Sequence, residues 1–150
     1  MIAVDTQILV YAHRAEVTHH AAAAAAVVRI AEASDAWGLP SQVIHEFFGI
    51  VTHPRIYDPP STIAQAWRQI HAWLDSPSVV ILGEGPRHLE ILERLVRAAE
   101  IRGPRVHDAR IAAICIEHGV RELWTADRDY KKFTELRTRN PLRAPTSTRQ

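Results

Sequence analysis

Short apolar runs recur along this chain and alternate with longer segments of helical character. Four of them occupy residues 2–4, 37–39, 79–81 and 123–125. Runs this short, bounded by polar or turn residues, predict buried strands, and strands that alternate with helices predict a parallel sheet covered on both faces. We therefore expect an α/β fold with three layers, α/β/α, and a central parallel sheet of four or five strands, the fifth near residues 136–138.

Six other segments have the composition of helices. In one of them, Leu89, Leu92 and Val96 recur at helical spacing, and Gly103-Pro104 marks the break after it. The predicted helices cover approximately residues 6–13, 19–34, 41–52, 62–74, 86–101 and 106–118. With 150 residues, 47% of them hydrophobic, the chain can bury a core of ordinary size, and no linker divides it.

The cysteine count and the first residues bear on the compartment. Cys115 is the single cysteine, which excludes an intramolecular disulfide and a Cys-based zinc site and favours a reducing compartment. The first residues carry no basic segment and reach Asp5 at once, and no apolar run is long enough to span a membrane. We expect a cytoplasmic protein with neither a signal peptide nor a membrane segment.

Charge is unevenly distributed, although the formal net charge is only +1. From Arg102 to Gln150 there are 11 Lys and Arg residues against 6 Asp and Glu residues. This asymmetry permits nucleic-acid binding without demanding it.

Carboxylates follow two of the predicted strands. Asp5 comes directly after the first strand, and Asp127 comes two residues after Thr125. In an open parallel sheet, ligands bind outside the carboxyl ends of the strands. Asp108 lies in the first turn of the last helix, where an acid also complements the helix dipole. Asp129 is an alternative to Asp127. We prefer Asp127 because it lies nearer the strand end.

Glu46 lies within a largely apolar helix. On a 3.6-residue repeat it is adjacent to Val43 and Ile50, at the edge of the buried stripe. Buried carboxylates are rare unless they are paired or bind a metal. A lone Glu in this setting would more often contact an Arg or a backbone donor. Glu46 therefore becomes a candidate metal ligand only in combination with the other acids.

Four acids that converge on one pocket would destabilise it. At separations of about 5 Å and an effective dielectric constant near 20, each pair repels by roughly 3 kcal/mol. Protonation or a divalent cation must offset that charge. Hard oxygen ligands without His or Cys favour Mg²⁺ or Mn²⁺ over zinc, and such an ion activates water for attack on phosphorus.

The same residues carry a family resemblance. The relevant segments are residues 2–6 (IAVDT), the Glu46 helix, residues 106–113 (VHDARIAA), residues 123–130 (LWTADRDY) and residues 139–142 (RNPL). In order and spacing they resemble a PIN domain, and within that family they are similar to VapC toxins of type II toxin–antitoxin modules.

The resemblance implies a Mg²⁺-dependent endoribonuclease, in which Mn²⁺ can substitute, with a PIN-like domain at residues 1–142 and a polar tail at residues 143–150. It implies a homodimer and a cognate antitoxin whose C-terminal segment enters the acidic cleft. Asp5, Glu46, Asp108 and Asp127 occupy the positions of the metal-binding acids.

Other positions have supporting or open roles. Thr6 and Thr125 match the family's hydroxyl residues, and Asp129 remains a rival acid. Arg110 could contact an RNA phosphate or pair with an acid, and both interpretations stay open. Tyr130, where the family commonly has Phe, is expected to alter only packing.

Two alternatives compete with the nuclease hypothesis. A phosphatase of the haloacid-dehalogenase type also begins with an acid after its first strand, but it needs a second Asp two residues later, and this chain has Gln7. A PIN-like module that binds RNA or an antitoxin without catalysis is the non-enzymatic alternative. The presence of all four acids disfavours it.

Overall fold

The computed structural model of this chain describes residues 1–144 and contains one five-stranded sheet. The strands are β1 (Ile2–Val4), β2 (Trp37–Pro40), β3 (Val79–Leu82), β4 (Glu122–Trp124) and β5 (Thr138–Arg139). Their order is β3-β2-β1-β4-β5, and every neighbouring pair is parallel. The predicted three-layer α/β/α fold with a parallel sheet of four or five strands is confirmed.

Six α-helices accompany the sheet. They are α1 (Thr6–His13), α2 (His20–Ala31), α3 (Ser41–Val51), α4 (Ile63–Leu74), α5 (His88–Ala98) and α6 (Val106–Glu117). Short 3-10 helices occupy Gly103–Arg105 and Arg128–Lys132. Helix α1 packs against α2 and α3, α3 also contacts α4, and α5 packs against α6. The predicted helices therefore exist, and their ends lie within a few residues of the expected positions.

The prediction that residues 79–81 form a buried strand is wrong in one respect. The strand forms, but Val80 is 39% exposed and Ile81 is 44% exposed. The reason is topological, since β3 is the last strand of the sheet and pairs only with β2. Apolar content predicted the strand correctly but could not show that it lies at an edge.

Strand β1 lies at the centre of the sheet, between β2 and β4. Its residues Ala3 and Val4 are fully buried, and the chain turns directly from Val4 into helix α1 through Asp5. The Asp5 amide donates to the Trp124 carbonyl at 2.9 Å, which extends the pairing of β1 with β4 past the last strand residue. The carboxyl edge of the sheet thus brings Asp5 beside the segment that follows β4.

The predicted tail falls mostly outside the described part of the chain, because the description ends at residue 144. The division into residues 1–142 and 143–150 stays a prediction. Within residues 1–144, no helix has both the length and the hydrophobicity that a membrane crossing requires.

Candidate active site

Asp5 is a buried carboxylate at the carboxyl edge of the sheet, with only 5% of its surface exposed. Its Oδ2 accepts a 2.7 Å hydrogen bond from the Thr125 hydroxyl, and its Oδ1 accepts a 2.8 Å bond from the Thr6 amide. The Tyr130 hydroxyl also donates to Oδ1, at 3.3 Å. Tyr130 was expected to change only packing, and this donor to Asp5 is an additional role that a Phe could not have.

The environment of Asp5 disfavours its charge. The pKa of its carboxyl is raised from 3.8 to about 6. Burial is the main cause, the nearby charges of Glu46 and Asp108 contribute in the same direction, and hydrogen bonds from Thr125 and Thr6 oppose the shift. A carboxylate with a pKa near 6 is still ionised at neutral pH, but only at a cost in free energy. A cation near Asp5 would offset that cost.

Both oxygens of Glu46 are held from different elements. Its Oε2 accepts a 2.7 Å hydrogen bond from the Thr6 hydroxyl on α1, and its Oε1 accepts a 3.2 Å bond from the Gln42 amide one turn earlier on α3. The side-chain oxygen of Gln42, Oε1, accepts a hydrogen bond from Arg110 on α6. Arg110 also forms an ion pair with Glu84. Of the two open interpretations of Arg110, the structure therefore shows pairing with an acid.

Arg105 lies among three aspartates at the other side of the site. Its Nη1 is 2.8 Å from Asp108 Oδ2 and 3.6 Å from Asp127 Oδ2, and its Nη2 pairs with Asp129. Burial raises the pKa of Asp108, the Arg105 hydrogen bond opposes that shift, and the charges of Asp127 and Glu46 add to it. The guanidinium thus offsets a cluster of negative charge that would otherwise repel itself.

One cavity of about 280 Å³ collects the predicted acids. Its lining includes Asp5, Glu46, Asp108 and Asp127. Thr6 lines the same cavity, whereas Thr125 lies behind Asp5 as its hydrogen-bond donor. Asp129 and Arg110 are outside the lining: the Asp129 amide donates to Asp127 Oδ1 at 2.8 Å, and Arg110 faces Glu84. We call the cavity with the four acids the acidic cleft.

Sequence reasoning missed two residues of this site. Gln42 lies four residues before Glu46 on one helix, and Arg105 lies three residues before Asp108. Both spacings bring side chains together on a helix, so they were available as a signal. Arg105 precedes the predicted helix, in the Gly103-Pro104 break, which concealed its relation to Asp108.

The donor set of the acidic cleft fits a hard divalent cation. Four carboxylates open onto one cavity, and carboxylate oxygens are the ligands that Mg²⁺ and Mn²⁺ prefer. Within residues 1–144, no group of three or more His, Cys, Asp or Glu side chains is already arranged to hold a metal. Arg105 contacts two of the four acids, so a positive charge already lies at the place where a cation would bind.

A larger cavity, of about 690 Å³, lies at the other end of helix α1. Its polar groups are largely paired with one another. The His13 ring is 2.8 Å from the Ser61 hydroxyl, and Arg14 contacts both Ser61 and Glu16. Apart from Glu16, its one described acid is Asp58, so the cavity lacks the carboxylate cluster that gives the acidic cleft its chemistry.

Comparison with known proteins places the chain in a family. The PIN domain model matches residues 2–136. The VapC ribonuclease Mb2897 of Mycobacterium bovis is 34% identical over 146 residues, which cover 97% of this chain and 99% of that protein. Ribonuclease VapC25 of Mycobacterium tuberculosis is 30% identical over 141 residues, which cover 94% and 99%.

Solved structures agree on the fold. VapBC2 from Rickettsia felis, bound to a DNA fragment from its promoter, matches with a TM-score of 0.68 at 20% identity and covers 93% of this chain and 98% of its own. VapC20 of Mycobacterium tuberculosis, a Sarcin-Ricin loop cleaving toxin, matches with a TM-score of 0.66 at 19% identity and covers 91% and 99%. On the match over almost the whole chain, this protein belongs to the PIN domain family and, within it, to the VapC-type proteins.

Proposed function

We propose that this protein is a Mg²⁺-dependent endoribonuclease, the toxin of a toxin–antitoxin pair, that hydrolyses RNA phosphodiester bonds in the cytoplasm. The observation that carries the proposal is the acidic cleft, in which the turn after β1, helices α3 and α6, and the segment after β4 each supply one carboxylate. Relatives 34% and 30% identical over nearly the whole chain are named ribonucleases, which supports the activity.

Asp5, Glu46, Asp108 and Asp127 would hold the divalent ion, Mg²⁺ or in its place Mn²⁺. When bound, such an ion supplies Lewis-acid stabilisation of the phosphate and lowers the pKa of a water nucleophile. Asp127 is proposed as the fourth acid because it lines the acidic cleft, whereas Asp129 does not.

The remaining side chains position the acids. Thr125 donates to Asp5, and Thr6 donates to Glu46, which fixes the two carboxylates relative to each other. Arg105 contacts Asp108 Oδ2, so its guanidinium would compete with a divalent ion for that oxygen.

Partners follow from the same proposal. The substrate is RNA, and a cognate antitoxin controls the activity. The Rickettsia felis neighbour was solved as VapBC2, which supports a two-protein module. A homodimer is proposed from the resemblance to VapC toxins alone.

The test is cleavage of a labelled RNA by purified protein with and without Mg²⁺. Wild type should cleave with Mg²⁺ and lose the activity in EDTA, and Asp5→Asn and Asp108→Asn should reduce the rate at least about 100-fold without unfolding the chain. Asp35→Asn is the matched control, because Asp35 is exposed and remote from the cleft lining. Full activity in EDTA would reject the proposal.

A second candidate is a binding module without catalysis, and the Arg105 contacts favour it because they already neutralise part of the cleft. Such a protein would bind RNA or an antitoxin and show no Mg²⁺-dependent cleavage. Asp5→Asn and Asp108→Asn would leave its binding affinity unchanged.

A further inference from the structure

We propose that a second cavity, directly beside the acidic cleft, binds the phosphate backbone of the RNA strand. This cavity of about 280 Å³ is lined by four cationic side chains, Arg128, Lys131, Arg139 and Arg143. We call it the basic cavity. The proposal rests on the proposed ribonuclease function and adds to it the place where the strand lies next to the cleavage site.

The two cavities share a wall. Ala126 and Asp127 line both the acidic cleft and the basic cavity. Thr125, which donates to Asp5 on the cleft side, also lines the basic cavity. A strand with one phosphate in the acidic cleft therefore meets the four cations as soon as it passes Asp127.

The four cations lack acidic partners within residues 1–144, where the ion pairs involve other basic residues. Arg105, Arg110 and Arg137, which come from the same part of the sequence, are all paired with acids. Among the described lining residues, Asp127 is the one acid. The basic cavity therefore carries a net positive charge that a polyanion would offset.

The positions of these cations are defined by the fold. Arg128 and Lys131 lie on the 3-10 helix that follows Asp127, and Arg139 lies on the edge strand β5, with its guanidinium 5.9 Å from the Trp124 ring centroid. Arg143 follows a turn in which the Asn140 side chain accepts a 3.0 Å hydrogen bond from the Leu142 amide. Two separate segments, residues 128–131 and 139–143, thus direct cations to one place, which a plain run of solvated charge would not do.

The chemistry of the lining identifies what part of the RNA is bound. No aromatic side chain is among the described lining residues, so base stacking has no platform there. Cationic side chains contact phosphates, and phosphate contacts set affinity and position without reading sequence. The basic cavity should therefore strengthen RNA binding to a similar extent for different sequences.

The experiment measures binding of a fluorescein-labelled single-stranded RNA 12-mer by anisotropy, in EDTA, over a range of salt concentrations. This measurement needs neither a metal nor cleavage. The RNA affinity can therefore be interpreted even if the ribonuclease proposal fails. The test variant is Lys131→Ala/Arg143→Ala, and the control is Arg55→Ala/Arg121→Ala, which removes the same charge from exposed positions outside both cavities.

The test variant should bind RNA at least about tenfold more weakly, and the slope of log K against log salt should become shallower by roughly 1.4, since each lost single-strand phosphate contact removes about 0.7. Two RNAs of different sequence should lose affinity equally. The control and the charge-conserving variant Lys131→Arg/Arg143→Lys should stay within about twofold of wild type.

Equal losses in the test and control variants would overturn the proposal, because they would reflect net charge alone. An unchanged RNA affinity together with lost binding of an acidic peptide would assign the basic cavity to a protein partner and would also overturn it. If RNA cleavage fails in all forms while the anisotropy result holds, only the proposed enzymatic activity is rejected.

Discussion

The Thr125 hydroxyl donates a 2.7 Å hydrogen bond to Oδ2 of Asp5, across a sequence separation of 120 residues. The contact exists because β1 and β4 are parallel neighbours in which Val4 is paired with Trp124. The residues that follow these two therefore meet at the same edge of the sheet. This bond favours the ionised form of a carboxylate that burial drives toward the neutral form.

Replacing Thr125 with Val should therefore weaken Mn²⁺ binding by about 10- to 100-fold, the usual cost of losing a partner that orients a ligand. Thr125→Ser keeps the hydroxyl and should restore most of the affinity. Calorimetric titration at pH 7.5 measures both. Equal affinities for the Val and Ser variants would mean that the hydroxyl is unimportant to Asp5.

Gln42 and Arg110 should act on Glu46 as one unit, because Arg110 holds the amide that donates to Glu46. We expect Gln42→Ala and Arg110→Ala each to lower kcat and Mn²⁺ affinity. The double variant should be little worse than either single one, with a coupling of roughly 0.5–3 kcal/mol. Arg97→Ala, at an exposed position on α5, serves as the control.

The alternative role of Arg110, contact with an RNA phosphate, gives a different result. In that case Arg110→Ala would raise KM, leave kcat and Mn²⁺ affinity unchanged, and add to the effect of Gln42→Ala without coupling.

Removal of the Arg105 guanidinium should increase the affinity for Mn²⁺, because that group contacts Asp108 and Asp127 and competes with the ion. We expect Arg105→Ala to bind Mn²⁺ several-fold more tightly and to unfold at a lower temperature in EDTA, where the acids lose their counter-charge. Arg55→Ala should change neither quantity. Weaker Mn²⁺ binding by Arg105→Ala would show that the guanidinium supports the site instead of competing for it.

Asp5 should make the metal-free protein less stable as the pH rises. Its folded-state pKa is about 6 against an ordinary 3.8, so between these values the folded chain binds the proton more tightly than the unfolded chain. The stabilisation is complete below the unfolded pKa and is lost as the pH rises through 6. From pH 4.5 to 7.5, wild type should lose on the order of 2 kcal/mol relative to Asp5→Asn.

Urea denaturation of the two proteins in EDTA at both pH values isolates this contribution, because the Asn variant carries no titrating group at position 5. A gain in the relative stability of wild type at the higher pH would show that Asp5 is not disfavoured as an anion.

Much of the architecture was predictable from local pattern. Short apolar runs separated by helices specified the parallel sheet, and the position of Asp5 directly after the first run placed it at the carboxyl edge. The exposure of Val80 and Ile81 was not predictable, because it depends on strand order, which is set by pairing between distant segments.

The site was only partly predictable for a related reason. Glu46 was a candidate because a carboxylate in an apolar helix is costly, and Asp108 because it lies in the first turn of the last helix. The spacing of Gln42 from Glu46 and of Arg105 from Asp108 was visible in the sequence, but neither residue type points to a site by itself. Their contacts with Arg110 and with Asp127 and Asp129 depend on the folded chain, which helical periodicity does not contain.

Titration of Mn²⁺ into the metal-free protein at pH 7.5, followed by calorimetry, tests the central claim most directly. Wild type and Asp35→Asn should bind the ion with equal affinity, and Asp5→Asn and Asp108→Asn should each bind at least about tenfold more weakly while remaining folded. Absence of Mn²⁺ binding by wild type, or undiminished binding by both cleft variants, would contradict the assignment of the acidic cleft as a metal site.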